Sequence, residues 1–388
     1  MLVNADLHIH SCFSMATSKD MVIKNIAPKA KLKGLSLIGS GDGFHPKWRQ
    51  IVKESTVDMG DGIYAVGDAN FVMTVEVEAK YRIHHLMILP DLEIAGELSN
   101  KIHSTNIASD GRPKSSLSGA ELMDLAHEYG ALIGPAHAFT PWTGMYKKYD
   151  SIYDCYEKAP DFVELGLSAD SDMADMIGEL KDFTFLTNSD AHSHWPHRLG
   201  REFNQMKLDD ISFSSIKKAI KKKRITANYG IVPDLGKYHC TACSRCFKLI
   251  EPEIAIENNM KCDCGGRIKK GVDFRISEIA DFKLPKHPSH RPDYIHTMPL
   301  AEIIAKVKGR GVTTKTVQSM WNRLVDNFKT EIDVLINADL SDIKLIDCDV
   351  SNAIKAFRNN TINVESGGGG KYGEISFISK PTLTLDNF

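Results

Sequence analysis

The chain lacks long hydrophobic runs and lacks an excess of charge of either sign. No uninterrupted apolar stretch approaches the roughly 18 residues that a membrane-spanning helix needs, so no such helix is predicted. Lysine and arginine total 48 against 50 acidic residues, which gives a formal charge of −2. That balance excludes a polybasic protein held to nucleic acid by overall charge, although a local basic face remains compatible with it.

A secretion signal and a disulfide framework are also missing. The N-terminus, MLVNADLHIH, reaches an aspartate before any apolar run develops and carries no basic segment, so we expect a cytoplasmic protein without a signal peptide. Five of the 8 cysteines lie between positions 240 and 264. Such a cluster in a cytoplasmic protein indicates a metal site rather than a set of disulfides.

The length and the shifts in composition predict more than one domain. At about 150 residues per domain, 388 residues correspond to two or three domains. Composition changes near Pro233 and again after Arg275. We therefore predict domains at 1–235, 236–276 and 277–388, the last of them mainly helical because of patterns such as 300–308 and 316–328.

The first 230 residues alternate short apolar runs with amphipathic segments. A helix is predicted over 118–129, and the apolar runs are predicted to be seven strands: 2–9, 35–38, 71–77, 83–89, 131–134, 162–167 and 183–186. Repeated strand and helix favour an α/β fold with a parallel sheet, and seven strands suggest a closed barrel. Polar residues late in these strands then predict a site at the carboxyl rim of the barrel.

The opening motif, Asp6-Leu7-His8-Ile9-His10, favours a metal site. Residues two apart on a strand face the same way, so both imidazoles should point into the barrel mouth. Two histidines on one face are natural ligands for zinc or a similar divalent ion, and Asp6 is a candidate to orient one of them. Taken alone, the motif fits a partly buried polar pair equally well.

Four further polar elements strengthen the metal interpretation. They are Gly41-Asp42 with His45, the Glu76/Glu78 strand followed by His84-His85, Pro135-Ala136-His137, and Asn188-Ser189-Asp190-Ala191-His192. Buried carboxylates and imidazoles are costly unless they are paired or bound to metal. A rim lined with several of each therefore indicates a polynuclear metal centre.

In this order, the motifs DLHIH, TVEVE, PAH and NSDAH resemble the polymerase and histidinol phosphatase (PHP) family of metal-dependent phosphoesterases. The resemblance implies a distorted (β/α)7 barrel with two or three divalent ions (Zn²⁺, Mg²⁺ or Mn²⁺). It implies that the metal ligands are His8, His10, Glu76, His137, Asp190 and His192, with His85 chosen over His84 as the next one. Glu76 is expected to bridge two ions, and Asp190 to orient the attacking water. Glu76, His137 and Asp190 are the expected catalytic residues.

The chain departs from the common PHP pattern at two positions. Met15 stands where many members carry an acidic residue after the first motif. Gly41-Asp42-Gly43 replaces the usual Thr-Asp-His, and His45 is displaced. Both positions usually serve a third metal, so the resemblance does not fix the number of ions.

The cysteine cluster predicts a second, structural metal site. Cys240, Cys243 and Cys246 are followed by Cys262 and Cys264. Four thiolates on two turns form a closed tetrahedral zinc site, which can fold a segment too small to have its own core. We expect the ligands to be Cys243, Cys246, Cys262 and Cys264, with Cys240 and His239 as possible substitutes.

Candidate nucleic-acid contacts lie in and before this segment. Between 207 and 275 there are 15 basic residues against 8 acidic ones, a local basic excess. The candidates are Trp48, Lys222, Lys223, Arg224, Lys269 and Lys270. A solvated charged surface is the alternative for the lysines, and rim packing is the alternative for Trp48.

Over nearly its whole length the chain resembles the endonuclease Q family. The resemblance rests on GSGDGFHPKW, PDLGKYHCTACSRC, KCDCGGRIKKGV and HPSHRPDYIHTMPLAEII. It implies an endonuclease of DNA repair that nicks on the 5′ side of deaminated bases (uracil, hypoxanthine, xanthine) and of abasic sites. Its partner would be double-stranded DNA, with single-stranded DNA left open, and its location the nucleoid.

Two alternative functions and one further partner stay open at this point. The alternatives are a small-molecule phosphoesterase of the histidinol phosphatase type and a non-catalytic, helicase-associated DNA-binding module. The tail 382–388, TLTLDNF, resembles a truncated sliding-clamp peptide, which suggests a sliding clamp as partner.

Overall fold

The computed structural model describes residues 1–377. The tail 382–388, with its expected clamp contact, lies outside the described residues. Within 1–377, every helix is too short or too polar to cross a bilayer.

The first 230 residues form most of the strands. The strands are β1 Leu2–Asp6, β2 Leu37–Gly39, β3 Val57–Gly60, β4 Ile63–Val66, β5 Ala69–Val72, β6 Thr74–Glu78, β7 His84–Ile88, β8 Leu132–Pro135, β9 Val163–Glu164, β10 Phe185–Leu186, β11 Phe203–Lys207 and β12 Ile225–Gly230. The helices are α1 Ile23–Lys33, α2 Pro46–Ser55, α3 Leu92–Ser99, α4 Gly119–Glu128, α5 Ile152–Tyr156, α6 Ser171–Ala174 and α7 Phe213–Lys221.

Helix α4 shows how local sequence sets these elements. The Ser118 hydroxyl accepts a hydrogen bond from the backbone N–H of Glu121, and the Glu121 carboxylate accepts one from the backbone N–H of Ser118. This reciprocal capping box satisfies two N–H groups at the helix start. Gly130 follows the helix at φ +73°, which favours glycine and ends it. The predicted helix over 118–129 is confirmed.

The central sheet places the end of β1 beside the ends of its neighbours. Its order includes β12-β11-β1-β2-β5-β4-β3, with β2 parallel and β11 antiparallel to β1. Strands β9 and β10 form a parallel pair, and a parallel bridge joins Ile9 to Ala191 beyond the strand ends. The segments that follow β1 and β10 therefore meet, which brings the first and last sequence motifs together.

The expected parallel sheet is wrong for several strand pairs, which are antiparallel, and most clearly for β6, β7 and β8. These strands form an antiparallel sheet in which Glu76 pairs with Leu86. Only residues 79–83 connect β6 to β7, far fewer than the dozen or so that a parallel crossover needs. The described strands make a mixed α/β fold, and the seven-stranded barrel stays a prediction.

The cysteine-rich segment and the C-terminal helices complete the chain. Their elements are β13 Ala242–Cys243, α8 Pro252–Glu257, β14 Ile268–Lys269, α9 Val272–Ile279, β15 Asp293–His296, α10 Leu300–Lys308, α11 Lys315–Phe328, α12 Leu340–Ile346, α13 Cys348–Arg358, β16 Asn363–Glu365 and β17 Glu374–Ser376. The helices from α10 to α13 enclose a separate hydrophobic core around Trp321. Strand β15 pairs with β12, so residues 293–296 extend the central sheet. The domain boundaries themselves stay predictions.

Candidate metal centre

Glu76 on β6 lies at the centre of a cluster of imidazoles. Its Oε1 is 2.6 Å from His84 Nδ1, 2.8 Å from His137 Nε2 and 3.8 Å from His8 Nε2. Its Oε2 is 3.4 Å from His10 Nε2. A carboxylate whose two oxygens face different histidines has the geometry of a bridging ligand between two ions.

Asp190 closes the cluster from the other side. Its Oδ1 lies 3.2 Å from His10 Nε2, 3.8 Å from His8 Nε2 and 3.7 Å from His192 Nδ1. The potential ligand atoms fall within 4.8 Å of one another in three overlapping groups: His8, His10 and Glu76; His10, Asp190 and His192; and Glu76, His84 and His137. The structure thus brings together all but one of the ligands expected in this region.

His85 is the expected ligand that the structure does not place in the cluster. Its Nδ1 instead lies 2.5 Å from the hydroxyl of Tyr156, and its ring is fully buried. Adjacent residues of a strand face opposite sides, and it is His84 that points toward Glu76. Because β7 runs against β6, its first residue, rather than its last, lies at the site. The choice of His85 over His84 was wrong.

Three residues at the site have left-handed backbone. Asp42, His137 and Asp190 have φ values of +50°, +30° and +47°. This conformation is uncommon for residues other than glycine and clusters at functional sites, where the surrounding structure compensates for the strain. Here each residue follows the end of a strand and turns its side chain back toward the cluster.

A second layer of carboxylates orients the histidines. Glu164 on β9 is 3.0 Å from His8 Nδ1 and accepts hydrogen bonds from the backbone N–H of His137 and the amide of Asn188. Asp42 is 3.2 Å from His10 Nδ1. Metal-binding histidines commonly use their second ring nitrogen in this way, which directs the first nitrogen at the ion.

Two residues expected near the metal have other roles. Asp6 accepts hydrogen bonds from Ser189 and the backbone N–H of Gly200, so it anchors the Asp190 loop rather than orienting a histidine. His45 caps α2 and lies 3.1 Å from the carbonyl of Ala108. It stands outside the potential ligand groups in the described part of the chain.

The electrostatics of the cluster favour a bound cation. Burial opposes protonation of His8, but Glu164, Asp190 and Glu76 raise its pKa to about 9. Burial likewise opposes ionisation of Glu76, yet His84, His137 and His8 hold its pKa well below the usual range. Carboxylates that draw protons onto imidazoles create a negative potential in which metal ions displace those protons.

Unpaired buried atoms point to the same conclusion. His8 Nε2, His10 Nε2, His84 Nε2 and Asp190 Oδ1 are buried and have no hydrogen-bond partner within residues 1–377. Buried polar atoms are almost always satisfied, by protein, water or an ion. Imidazole nitrogens and carboxylate oxygens are the donor set of zinc and related divalent metals. The residues present therefore fit metal ions.

The cluster opens into a cavity of about 390 Å³. His137, Asp190 and His192 form one end of its wall, whereas Trp142, Tyr238 and Tyr372 line another part. The cavity therefore connects the metal donors with residues next to the cysteine-rich segment. Its volume is within the range of small-molecule and cofactor sites.

The four expected cysteines meet in a second cluster. The Sγ atoms of Cys243, Cys246, Cys262 and Cys264 all lie within 4.8 Å of one another. Gly266 packs beside them, and a Cβ there would be 2.5 Å from the sulfur of Cys243. Cys240 and His239 are not part of this group of ligands in the described residues. Four thiolates at one point match a closed tetrahedral metal site.

Most of the expected nucleic-acid contacts lie away from the cavity. Trp48 is fully buried, so the packing alternative holds and the contact prediction was wrong. Lys222, Lys223 and Arg224 lie far from the cavity, and their contact with nucleic acid stays a prediction. The backbone N–H of Lys207 donates to the carbonyl of Arg224, and Lys207 pairs with Leu2, at the end of β1 remote from His8.

The two lysines on the cysteine-rich segment lie nearer the cavity. Lys269 Nζ is 4.2 Å from the centre of the Trp142 ring, a favourable cation–π distance. Lys270 pairs with Glu278 at 2.6 Å, although it also borders the groove beside Trp142. Both lysines line the smaller groove beside Trp142 rather than the 390 Å³ cavity itself, and their contact with nucleic acid stays a prediction.

Sequence reasoning missed two charged residues of the site. Glu164 had a usable signal, because it is the single acid in the apolar run FVELGL. Arg112 had none, since it lies in a polar loop. Its Nη1 is 3.1 Å from Glu76 Oε2, and it lines the cavity.

Comparisons with known proteins match both a part of the chain and its whole length. The family model of the MJ0043 C-terminal domain matches residues 299–361. The Methanocaldococcus jannaschii protein MJ0043 is 54% identical over 256 residues, which cover 64% of this chain and 32% of that protein. The chain therefore spans about a third of the length of that curated relative.

Two solved structures match along almost the whole chain. The lesion-specific endonuclease PfuEndoQ from Pyrococcus furiosus is 49% identical, with a TM-score of 0.93 over 97% of this chain and 95% of its own. Endonuclease Q in complex with a 27-mer duplex that carries an abasic lesion at the active site is 48% identical, with a TM-score of 0.94 over 98% of this chain and 97% of its own. Identity at this level over full length is evidence of common descent, and the chain belongs to the endonuclease Q family.

Proposed function

We propose that this chain is a metal-dependent endonuclease of DNA repair that cuts the phosphodiester bond on the 5′ side of a damaged nucleotide. The observation that carries the proposal is the metal-donor cluster around Glu76, which opens directly into the 390 Å³ cavity. Family membership supports it, because one relative is a lesion-specific endonuclease and another holds an abasic duplex at its active site. Abasic sites, uracil, hypoxanthine and xanthine in duplex DNA are the proposed lesions, with single-stranded DNA as a second form of substrate.

The proposed metal ligands are the clustered histidines and acids. Glu76 would hold divalent ions together with His84 and His137 on one side and with His8 and His10 on the other, and His10, Asp190 and His192 form a third group of donors. Bound divalent ions lower the pKa of water and neutralise charge on a phosphate, whichever of Zn²⁺, Mg²⁺ and Mn²⁺ is present. Zinc is the proposed ion of the four-cysteine site, where it would hold together a segment with little core of its own.

The exposed edge of the cluster is suited to positioning the attacking water. The Asp190 side chain is about one-third exposed, whereas Glu76 is almost fully buried. An oxygen of Asp190 can therefore accept a hydrogen bond from water in the cavity. In the hydrolysis the water oxygen bonds to phosphorus, the ester P–O bond breaks, and a proton from the water accompanies the leaving sugar oxygen. His137, beside Glu76, completes the proposed catalytic set.

The aromatic part of the cavity is proposed to hold the damaged nucleotide. Trp142 is 44% exposed, and its ring packs edge-on against Tyr238. Lys237 lies 5.2 Å from the Tyr238 ring and Lys269 lies 4.2 Å from the Trp142 ring. Aromatic faces with adjacent cations favour stacked bases and nearby phosphates. Enzymes that inspect a base turn it out of the duplex, which is easiest where pairing is already weakened.

One assay distinguishes this function from its alternatives. The protein is incubated with Mg²⁺, Mn²⁺ or Zn²⁺ and end-labelled duplexes that contain uracil, hypoxanthine or an abasic site, beside a generic phosphomonoester. Site-specific nicking is expected. Phosphomonoester release without nicking would favour the histidinol phosphatase type, and DNA retention without cleavage would favour the non-catalytic helicase-associated module.

A pair of variants ties the nicking to the cluster. Asp190→Ala is expected to abolish it, because His8, His10 and His192 lose their common acidic partner. Asp182→Ala is the matched control, since Asp182 is exposed and pairs only with Lys223 among the ion pairs of the described residues. Full nicking by Asp190→Ala would contradict the assignment of the site.

A further inference from the structure

Arg112 places a permanent positive charge at the mouth of the metal cluster. Its Nη1 lies 3.1 Å from Glu76 Oε2, and its side chain is 24% exposed. Its Nε is buried and has no hydrogen-bond partner within residues 1–377. Together with His137 and Asp190, the side chain lines the 390 Å³ cavity. A guanidinium has five N–H donors, and the Glu76 contact uses one of them.

The loop that carries Arg112 is fixed against the cluster. Asp110 accepts hydrogen bonds from the backbone N–H groups of Arg112 and Met15, and the backbone N–H of Gly111 donates to the carbonyl of Phe13. Gly111 approaches so closely that a Cβ would lie 2.1 Å from Asp42 Oδ2. This packing fixes the backbone of the loop and the Glu76 contact orients the guanidinium, which together reduce the reorganisation needed when a ligand binds.

A structural ion pair with Glu76 explains this placement poorly. Glu76 already faces four histidines, so it needs no further partner for its buried charge. A fixed cation beside a proposed metal ligand also repels metal ions, because like charges a few ångströms apart in a partly buried site interact strongly. The arrangement becomes favourable when an anion enters the cavity and contacts the guanidinium and the metal ions together.

We propose that Arg112 is a catalytic residue that donates hydrogen bonds to a nonbridging oxygen of the scissile phosphate and stabilises the negative charge of the transition state. The proposal rests on the proposed endonuclease function. Arginine suits this role because its planar fork matches two phosphate oxygens and stays charged throughout. Arg112 therefore neither gives nor takes a proton, and the hydrolysis balances as described above.

The test pairs a change in Arg112 with a change in the phosphate. Arg112→Gln is compared with the wild-type protein in single-turnover cleavage of an abasic duplex and in equilibrium binding to two duplexes, one native and one with an uncharged methylphosphonate at the scissile position. Binding is measured in Ca²⁺, and cleavage under these conditions is monitored on the same samples. Metal content is measured for every variant. Lys53→Gln is the control, since it removes one positive charge from an exposed position on α2.

The expected loss in cleavage rate is about 10²- to 10³-fold, the usual effect of removing one transition-state donor. Metal content should stay unchanged. The preference of the wild-type protein for the native over the methylphosphonate duplex should shrink at least several-fold in Arg112→Gln, and Lys53→Gln should match the wild type. Arg112→Lys, which keeps a charge but loses the fork, should restore little of the rate.

Three results would overturn the proposal. They are a near-wild-type rate in Arg112→Gln, an unchanged preference between the two duplexes, and a loss of bound metal that accounts for the whole defect. If Arg112→Gln does not fold, the same comparison with Arg112→Lys decides, and an unchanged rate and preference there rejects the role. A wild-type protein that nicks none of the lesion duplexes refutes the endonuclease function instead, so the two failures are distinguishable.

Discussion

A buried ion pair joins the metal-binding part of the chain to the C-terminal helices. Lys33 at the end of α1 lies 2.7 Å from Glu331, and both side chains are at most 2% exposed. Lys33 also donates to the carbonyl of Pro196, in the loop after His192. Glu331 accepts further hydrogen bonds from the backbone N–H of Leu300 and the indole N–H of Trp321. The carboxylate is thus saturated with donors from both parts of the protein.

Lys33→Met removes the charge of this pair and keeps most of the side-chain volume. Breaking a buried pair from one side typically costs about 3–5 kcal/mol, because the remaining charge is left without a partner. At about 2–4 °C per kcal/mol for a domain of 150–250 residues, the melting temperature should fall by roughly 10 °C. Urea denaturation and calorimetry measure the change.

Two further variants control for side-chain packing and for loss of charge. Lys31→Met makes the same change on the same helix, but Lys31 and its partner Asp68 are both largely exposed, so no measurable change is expected. Lys33→Met combined with Glu331→Gln leaves no charge unpaired and should recover most of the loss. The reasoning is refuted if Lys33→Met is as stable as Lys31→Met, or if the double variant is less stable than Lys33→Met.

Three other outcomes follow from the structure. His84→Ala should lower the metal content of the main cluster and stop nicking, whereas His85→Ala should keep the metal and lower stability. Elemental analysis and melting curves measure these changes, and they would show the reverse if His85 were the ligand. Cys264→Ser should remove one metal equivalent per chain and expose residues 240–270 to proteases, and retained stoichiometry would argue against a four-thiolate site. Burial raises the pKa of Glu202 from 4.5 to about 8, so the folded protein keeps a proton that the unfolded chain releases, and stability falls as pH rises from about 4.5 to 8. The melting temperature of Glu202→Gln relative to the wild type should therefore rise across that interval, and a constant difference would contradict the assignment.

Local patterns predicted the features that depend on neighbouring residues. The helix over 300–308 begins and ends where expected, and that over 316–328 begins one residue earlier, at Lys315. The four cysteines converge as expected because their spacing allows few other arrangements. The order of the His- and Asp-bearing motifs likewise predicted that His8, His10 and Asp190 meet. Each of these predictions used information contained within one segment or a known order of segments.

Neither the direction of a strand nor the side of the sheet that each of its residues faces is contained in a single segment, and the errors follow from both. Residues 83–89 read as a strand whether it runs with or against its neighbour. The short turn after β6 reverses the chain, so His84, the first residue of β7, lies beside Glu76. The same limit applies to the basic run at Lys222. The sequence shows that the run is positively charged, but it does not show at which end of the sheet the run lies.

Two buried acids show that the sequence alone does not determine whether a buried carboxylate finds hydrogen-bond donors. Glu164 interrupts an apolar run, and burying its charge is costly unless donors surround it. The structure supplies partners from three separate segments, through His8, His137 and Asn188, and the carboxylate orients the His8 ring. Glu202 is equally buried, but its Oε2 has no partner in the described chain, and burial raises its pKa to about 8. Two acids with the same burial thus differ in their surroundings, because only long-range contacts decide whether a buried carboxylate finds donors.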